Sequence, residues 1–320
     1  MPRDRSIDPA DLLDAARAGD RGALARLLSL VERGGAPARA VGRITHPLGG
    51  HATTVGITGS PGAGKSTLTS VLIGRMRQEE NGESVAVLAI DPSSPFTGGA
   101  ILGDRVRMSD HALDDGVFIR SMATRGHLGG LALATPEAVR VLDAAGWPWI
   151  MIETVGVGQV EVEIAGEADT TVVVINPGWG DAVQANKAGL MEIADVFVIN
   201  KADRPGVDDA RRDIEQMLEL SRPRDWKPPI VATVATSGEG VDELWSALQT
   251  HREWLVESGE LDRRRQARVS DELVRIIGAR LRERARGLRE GDAFERSRDA
   301  VLAREVDPWS AADELLSATD

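Results

Sequence analysis

The sequence predicts an α/β fold: a doubly wound, mostly parallel sheet with a helical extension before it and a helical region after it. Between residues 51 and 257, short runs rich in valine and isoleucine alternate with amphipathic segments, a pattern typical of parallel strands covered by helices. The runs are apolar almost throughout, as expected of strands buried on both faces. The first run passes through a glycine-rich turn into a helical segment, which is the order found in doubly wound domains.

Three segments follow from this pattern. Residues 1–50 are predicted to form an N-terminal helical extension, residues 51–257 the α/β domain, and residues 258–320 a C-terminal helical region. Strands are predicted at residues 54–58, 84–90, 117–120, 149–153, 170–175, 196–200 and 230–233. Helices of the domain are predicted at residues 65–79, 135–145, 181–193, 207–220 and 241–257.

The N-terminal extension is predicted to contain two helices and a linker. Asp8 can cap a helix whose first position is Pro9, a position that proline favours. Asp20 precedes a second apolar pattern, which Gly34 ends. Residues 46–50 are predicted to link this extension to the sheet.

The C-terminal region carries a stripe of apolar residues at helical spacing. Ten arginines and four acids occupy much of the rest of residues 263–290. Two interpretations remain open, because the stripe can pack as a core helix or form the interface between two copies of the chain. The stripe consists of Val269, Leu273, Ile276, Ile277, Leu281 and Leu288.

The composition excludes several classes of function. The chain of 320 residues contains no cysteine, which rules out a disulfide framework, a thiolate metal site and a cysteine nucleophile. Its formal net charge of -12 argues against broad binding to nucleic acids, which requires a cationic surface. The sequence has no signal-peptide segment and no run of the roughly 18 apolar residues that cross a membrane. A cytoplasmic location, without membrane or nucleic-acid partners, is therefore predicted.

Lysine is rare in this chain. The basic residues number 38, but only four of them are lysines. A coding bias toward arginine explains why lysine is rare. Because the chain uses arginine by default, each remaining lysine is a candidate for a position that needs a compact ammonium group. The four are Lys65, Lys187, Lys201 and Lys227.

A glycine-rich motif follows the first predicted strand. Residues 59–66, Gly-Ser-Pro-Gly-Ala-Gly-Lys-Ser, match the phosphate-binding pattern in which backbone N–H groups and a helix N-terminus surround the phosphates. Lys65 is expected to contact the β- and γ-phosphates, and Ser66 a magnesium ion. The sequence therefore predicts a P-loop NTPase. Its phosphate-binding residues are Gly59, Ser60, Pro61, Gly62, Ala63, Gly64, Lys65, Ser66 and Thr67.

A second motif indicates the base. The predicted strand 196–200 runs into Asn200-Lys201-Ala202-Asp203. Asp203 can accept hydrogen bonds from the ring N–H and the exocyclic amine of guanine, whereas adenine offers no matching pair of donors. A site built on such hydrogen bonds discriminates strongly against the wrong base, and the aliphatic part of Lys201 can cover one face of the base. GTP is therefore predicted in preference to ATP.

Acidic residues at strand ends are candidate magnesium ligands. Asp91 directly follows one predicted strand, Asp104 lies in the next glycine-rich loop, and Glu153 ends another strand. Carboxylate oxygens facing a P-loop suit a nucleotide-bound Mg²⁺, so these three acids and Ser66 form the predicted metal site. Glu153 is followed by Thr-Val-Gly, a spacing suited to sensing the γ-phosphate.

The position that carries the water-orienting glutamine in Ras-like GTPases holds a different residue in this chain. In Ras-like enzymes a glutamine follows the switch glycine, but Val157 stands there in this chain and Gln159 lies two residues further on. Water activation is therefore expected to be arranged differently. Lys65, Glu153 and Gln159 are the catalytic candidates from these motifs.

Longer loop motifs resemble one family. Asp-Pro-Ser-Ser-Pro-Phe-Thr-Gly-Gly-Ala-Ile-Leu-Gly-Asp-Arg at 91–105, Glu-Thr-Val-Gly-Val-Gly-Gln at 153–159 and the run 184–203 closely resemble loops of the MeaB/ArgK family of P-loop GTPases. These GTPases are chaperones of adenosylcobalamin-dependent acyl-CoA mutases. The resemblance covers most of the chain. It implies a GTPase that uses Mg²⁺ with GTP or GDP, hydrolyses GTP slowly alone, and is stimulated by its mutase.

The same resemblance implies partners and further site residues. The chain would dock on the mutase, together with its adenosyltransferase, to assist cofactor loading, protection and reactivation, without binding cobalamin itself. Residues 176–187 resemble the family's third switch, in which Lys187 approaches the nucleotide in the partner-bound state. The C-terminal helices resemble the family's dimerisation arm, which implies a homodimer. The family's last base-contacting loop corresponds to Val234, Ala235 and Thr236. This sequence departs from the Ser-Ala motif that is usual in GTPases, which favours contacts to guanine from the backbone of the loop.

Two other functions are compatible with a P-loop. A GTPase for metal insertion into another metalloenzyme usually carries a histidine-rich or cysteine-containing site, but this chain has five scattered histidines and no cysteine. A P-loop kinase acting on a small molecule is disfavoured by the guanine motif and by the lack of an evident acceptor pocket with its own base.

Overall fold

The computed structural model describes residues 8–80, 82–92, 109–111, 113–124, 131–154, 167–178, 192–220, 224–289 and 291–317. The strands are β1 (Thr53–Gly59), β2 (Val85–Pro92), β3 (Val117–Thr124), β4 (Trp149–Thr154), β5 (Thr170–Ile175), β6 (Val196–Asn200) and β7 (Ile230–Thr233). The helices are α1 (Pro9–Arg17), α2 (Arg21–Arg33), α3 (Gly35–Thr45), α4 (Lys65–Arg77), α5 (Leu131–Ala144), α6 (Val207–Leu220), α7 (Val241–Glu257), α8 (Glu260–Leu288), α9 (Asp292–Leu302) and α10 (Pro308–Ser317). Within these ranges, no helix combines the length and the apolar character that a membrane span needs.

The strands form one sheet in the order β3-β2-β4-β1-β5-β6-β7, and every pair is parallel. The predicted α/β fold with a doubly wound sheet is therefore confirmed, and the described sheet is parallel throughout. All seven predicted strands are present. The central position of β1, between β4 and β5, is the point where the strand order reverses. Ligands of such sheets bind at the carboxyl ends of the strands beside this point.

Apolar residues cover both faces of the sheet. On one face, β1 residues Val55 and Ile57 pack with Leu68 of α4 and Trp245 of α7. On the other face, Ile150 of β4 lies in a cluster with residues of α1, α2, α3 and α5. A third cluster places α6 against β5 and β6. The N-terminal helices are thus part of the layer that covers the sheet.

The N-terminal extension contains one helix more than the two predicted. Asp8 accepts a hydrogen bond from the backbone N–H of Ala10 at 3.0 Å, as its predicted capping role requires. Gly34 ends α2, but the chain then enters α3 directly. Gly34 and Gly35 both have φ of 70°, which is accessible to glycine and turns the chain sharply between the two helices. The two glycines therefore separate α2 from α3, and the helical region continues to Thr45.

The remaining differences are at element ends. Helix α5 begins at Leu131, four residues before its predicted start, and it includes Pro136. Strand β3 continues to Thr124, past its predicted end at residue 120. The helix predicted at 181–193 lies largely outside the described residues.

The chain divides into two compact units, Met1–Arg268 and Val269–Asp320. The first contains the sheet. In the second, the apolar residues Val269, Leu273, Ile277 and Leu281 of α8 are exposed. No residue of α8 is buried, and both interpretations of the stripe stay predictions.

Candidate nucleotide-binding site

The predicted P-loop forms the turn between β1 and α4, at the carboxyl edge of the sheet. Two of its positions require glycine. A Cβ at Gly59, where φ is 136°, would lie 1.9 Å from the carbonyl oxygen of Val174, and a Cβ at Gly64, where φ is 90°, would lie 2.4 Å from Nδ2 of Asn200. The loop is therefore held against β5 on one side and against the base motif on the other.

The side chain of Lys65 lies across this loop. Its Nζ donates to the carbonyl oxygens of Gly59 at 2.7 Å and Ser60 at 3.1 Å, and the residue is buried. The lysine thus holds its ammonium at the loop that is predicted to surround the phosphates. Phosphate oxygens are stronger partners for an ammonium than neutral carbonyl groups, so a bound nucleotide can take over these hydrogen bonds. Ser60, Pro61, Gly62 and Ala63 complete the turn, and Thr67 lies in the first turn of α4.

Ser66 and Glu153 meet beside Lys65. The Ser66 hydroxyl donates to Oε1 of Glu153 at 2.5 Å, and both side chains are buried. Glu153 reaches this position because β4 lies next to β1, with Ile57 and Glu153 in register. A hydroxyl and a carboxylate at the first turn after a P-loop are the hard oxygen donors that Mg²⁺ selects. These two residues therefore fit the predicted metal site.

Asn200 connects the base motif with the P-loop. Its Nδ2 donates to the carbonyl oxygen of Ala63 at 2.7 Å. Its Oδ1 accepts from the Thr233 hydroxyl and from the backbone N–H of Ala235, both at 3.1 Å. The side-chain amide is thereby fixed in one orientation between three segments of the chain. The sequence interpretation missed Thr233, although the pairing of β6 with β7 brings it opposite Asn200.

Lys201 extends from the base motif over the P-loop. It is one of the few described residues other than glycine with a positive φ, 61°, a strained conformation that is frequent at functional sites. Its Nζ donates to the carbonyl oxygen of Gly62 at 2.6 Å, so its aliphatic part spans the space between the motif and the loop. Asp203 is exposed at the same edge. Val234 and Thr236 flank Ala235 in the loop after β7.

Several predicted site residues cannot be located. Asp104, Gln159 and Lys187, together with the side chain of Asp91, lie outside the described residues. The backbone of Asp91 is described, and it belongs to β2, paired with Ala123 of β3. In the described parts of the chain, no three histidine, aspartate or glutamate side chains form a group that could hold a metal ion.

Comparisons with known proteins show which family the chain resembles. A family model described as methylmalonyl-CoA mutase-associated GTPase MeaB matches residues 24–290. A relative from Pyrococcus abyssi is 51% identical over 310 residues, which are 96% of this chain and 95% of the relative. The GTPase ArgK of Escherichia coli is 40% identical over 266 residues, 80% of each chain.

Two more comparisons extend this similarity. The mouse mitochondrial methylmalonic aciduria type A homolog is 38% identical over 273 residues, which are 82% of this chain and 65% of the mouse protein. A crystal structure described as LAO/AO transport system kinase superposes with a TM-score of 0.71 at 28% identity, over 98% of both chains.

Proposed function

This chain belongs to the MeaB family of GTPases, and from that premise we propose that it is a GTP-hydrolysing chaperone of an adenosylcobalamin-dependent acyl-CoA mutase. The family description names an association with methylmalonyl-CoA mutase. The mouse relative is named after methylmalonic aciduria, a name that fits the same metabolic context. The proposed role is to assist cofactor loading, protection and reactivation of the mutase, together with its adenosyltransferase.

The observation that carries the nucleotide assignment is the set of hydrogen bonds around Asn200. This residue holds the P-loop at Ala63 and the loop after β7 at Ala235. The groups proposed to bind the phosphates and the groups proposed to bind guanine are therefore joined through one side chain. Asp203 would accept from guanine, and Lys201 would cover the base.

In the proposed reaction, the oxygen of water bonds to the γ-phosphorus, the bond to the oxygen bridging the β- and γ-phosphates breaks, and GDP leaves with that electron pair. The proton lost by the water passes to the released phosphate. The N–H groups of the P-loop and the ammonium of Lys65 stabilise the charge on the phosphate oxygens. Ser66 and Glu153 would hold Mg²⁺, aided by Asp91 and Asp104. Bound Mg²⁺ supplies further charge neutralisation at the phosphates. Gln159 is the proposed residue that orients the water.

The partner would act through the third switch. We assign Lys187 as the residue that reaches the nucleotide in the mutase-bound complex, so that hydrolysis is slow alone and faster with the mutase. The exposed stripe of α8 supports a homodimer formed by residues 258–320, because exposed apolar patches of this kind mark association surfaces. The chain itself is not proposed to bind cobalamin.

The base assignment is tested by competition for the site. With a fluorescent GDP bound, unlabelled GTP and ATP are titrated in the presence of Mg²⁺. GTP is expected to compete at least about a hundredfold better than ATP, since adenine would leave Asp203 without its donors. Equal competition by the two nucleotides would contradict the assignment.

The partner assignment is tested by rates of GTP hydrolysis with and without a cobalamin-loaded acyl-CoA mutase. The mutase is expected to raise the turnover of the wild type. Lys187→Ala should retain the intrinsic rate and lose the stimulation. Lys227→Ala is the matched control, because Lys227 is an exposed lysine away from the P-loop, and it should be stimulated normally. Equal stimulation of both variants would remove the role of Lys187, and no stimulation of the wild type by methylmalonyl-, isobutyryl- or related acyl-CoA mutases would remove the partner.

A further inference from the structure

Two buried threonines lie at the carboxyl ends of β1 and β4. Thr58 precedes the first glycine of the P-loop, and Thr154 directly follows Glu153. The Thr154 hydroxyl donates to Oγ1 of Thr58 at 3.1 Å, and both residues are buried, with 3% and 0% of their surface exposed. A hydrogen bond in the interior therefore joins the strand that leads into the P-loop to the strand that carries Glu153.

This pair lies on the opposite face of the sheet from Glu153. Side chains alternate along a strand, and Glu153 faces α4, where it accepts from Ser66. Thr154 therefore shares the face of Ile152, which packs in the cluster formed with α2 and α5. The end of β4 is thus held from both faces, by Glu153 on one side and by Thr154 on the other.

Hydroxyl groups are a costly choice at these positions. Valine has the same branched shape as threonine and suits a buried parallel strand, and the nearby Val55 and Ile152 are apolar and buried. Two hydroxyls lose their hydration on burial and regain one hydrogen bond between them. A hydrogen bond is directional and has a narrow range of lengths. It therefore fixes the spacing of two strand ends more tightly than a methyl contact does.

We propose that Thr58 and Thr154 are positioning residues for GTP hydrolysis. Their hydrogen bond sets the separation between the P-loop and Glu153, and thereby the geometry in which Ser66 and Glu153 hold Mg²⁺. The two threonines act through that pair of oxygens. The inference rests on the proposed function, since it takes Ser66 and Glu153 to be the residues that hold the metal with the nucleotide.

The test compares Thr154→Val with Thr154→Ser in the full chain. Valine keeps the shape and removes the hydrogen bond, whereas serine keeps the hydroxyl. For Thr154→Val, we expect the Mg²⁺ concentration that half-saturates tight GDP binding to rise severalfold and kcat to fall about tenfold, because small displacements of reacting groups cost rate. The KM for GTP should change less than about twofold, since the P-loop contacts remain. Thr154→Ser should restore both kcat and the Mg²⁺ dependence.

A double substitution and a control separate positioning from stability. Thr58→Val removes the same hydrogen bond, so the variant with both valines should resemble either single variant and not show the product of their effects. Thr45→Val is the matched control, because Thr45 is a buried threonine whose hydroxyl donates to the carbonyl oxygen of Val41 in α3 at 3.1 Å. It should lose a similar amount of stability and keep a normal Mg²⁺ dependence.

The inference is overturned if Thr154→Val and Thr154→Ser have the same kcat and the same Mg²⁺ dependence. It is also overturned if Thr45→Val shifts both quantities as much as Thr154→Val does. The proposed function fails in a different way, through a wild type that hydrolyses no GTP or that binds GDP without any effect of Mg²⁺. The two failures are therefore distinguishable in the wild type alone.

Discussion

The two ends of strand β6 differ in their chemistry. At its carboxyl end, Asn200 makes hydrogen bonds to backbone groups and to one hydroxyl. At its amino end, Asp195 meets a full positive charge. The guanidinium of Arg264, at the start of α8, donates to both carboxylate oxygens at 2.9 and 3.0 Å. At the carboxyl edge, Lys65 and Lys201 donate to backbone carbonyl oxygens and Glu153 accepts from a hydroxyl, whereas at the amino edge arginines pair with buried carboxylates.

A second buried ion pair lies at the amino end of β5. Asp169, which precedes this strand, accepts from Arg265 at 2.7 and 3.1 Å and also from Arg268. It accepts in addition from the backbone N–H of Thr54 at 3.1 Å. Burial by itself would raise the pKa of Asp169, but the hydrogen bonds from Arg265 and the charges of both arginines outweigh it and hold the pKa below its ordinary value. The carboxylate therefore stays charged in the interior.

A buried histidine completes the amino edge. His251 has no exposed surface and lies against the rings of Trp226 and Trp254, at centroid distances of 4.7 and 5.6 Å. Its Nδ1 is 2.8 Å from the Thr170 hydroxyl, and its Nε2 is 3.5 Å from Oδ1 of Asp195. Burial lowers its pKa to about 4, against the opposing charge of Asp195. His251 is therefore neutral at neutral pH.

The difference between the edges indicates a division of roles. At the carboxyl edge, Lys65 and Lys201 hold carbonyl oxygens that a nucleotide can replace. At the amino edge, removing Asp169 or Asp195 takes a buried carboxylate from partly buried arginines, which is strongly destabilising. We therefore expect substitutions at the amino edge to lower stability, and substitutions at the carboxyl edge to lower nucleotide binding.

The largest effect on stability is expected for Asp195→Ala. This substitution removes the buried carboxylate that accepts from Arg264 and from the N–H of Thr171, and Arg264 keeps Glu260 as its remaining carboxylate partner. The free energy of unfolding should fall by about 3 kcal/mol. Urea unfolding followed by tryptophan fluorescence measures this change, since Trp226 lies beside the cluster. A loss below about 1 kcal/mol would mean that Glu260 and water satisfy Arg264 without Asp195, and would contradict a stabilising role for this ion pair.

Acidification should destabilise the protein through His251. The unfolded chain takes up a proton near the ordinary pKa of 6.5, whereas the folded chain does so only near 4. Stability is therefore full above pH 6.5 and falls by about 3 kcal/mol as the pH drops to 4. Below that window, the lowered pKa of Asp169 extends the loss in the same direction.

The pH effect is checked by urea unfolding at several pH values. His251→Gln cannot take up this proton, so its unfolding free energy should vary much less between pH 6.5 and pH 4 than that of the wild type. If the variant keeps the same slope, the acid sensitivity comes from other groups.

A smaller loss of stability, with a large loss of binding, is expected for Asn200→Ala. The substitution leaves the carbonyl of Ala63 and the N–H of Ala235 without their partner, which should cost about 1–3 kcal/mol. Because these groups connect the P-loop with the base loop, the affinity for GDP should fall at least about tenfold. Calorimetric titration checks the affinity, and an unchanged value would separate Asn200 from the nucleotide site.

The smallest effect is expected for Arg212→Ala. Arg212 pairs with Asp209 on α6, and the two side chains are 66% and 74% exposed. Such a pair contributes no more than about 0.5 kcal/mol, because water and salt screen it. A loss comparable to that of Asp195→Ala would mean that burial does not decide the strength of ion pairs in this protein.

The carboxyl edge could be predicted in large part from the sequence. The P-loop and Asn200-Lys201-Ala202-Asp203 are local motifs, which residue type and spacing reveal without any knowledge of the fold. The seven strands were likewise predictable, because their Val/Ile runs are local. Thr233 and the Thr58–Thr154 pair were not predicted, since their roles depend on which strands become neighbours.

The amino edge could not be predicted. Asp169 and Asp195 are single acids before strands. Arg265 follows Asp169 by 96 residues and Arg264 follows Asp195 by 69 residues, and no sequence spacing indicates either pairing. The sequence shows ten arginines between residues 263 and 290, but nothing local indicates which of them pair with these acids. Helix α3 was missed for a different reason. Gly34 and Gly35 were interpreted as the end of the helical pattern, whereas α3 begins at Gly35.

The most direct test of this division compares the two ends of β6 in one experiment. The affinity for GDP and the free energy of unfolding are measured for Asp195→Asn and Asn200→Ala, under conditions where both are folded. Asp195→Asn should lose stability and keep the affinity within about twofold of the wild type, whereas Asn200→Ala should lose at least about tenfold in affinity. The account is contradicted if Asp195→Asn loses as much affinity for GDP as Asn200→Ala.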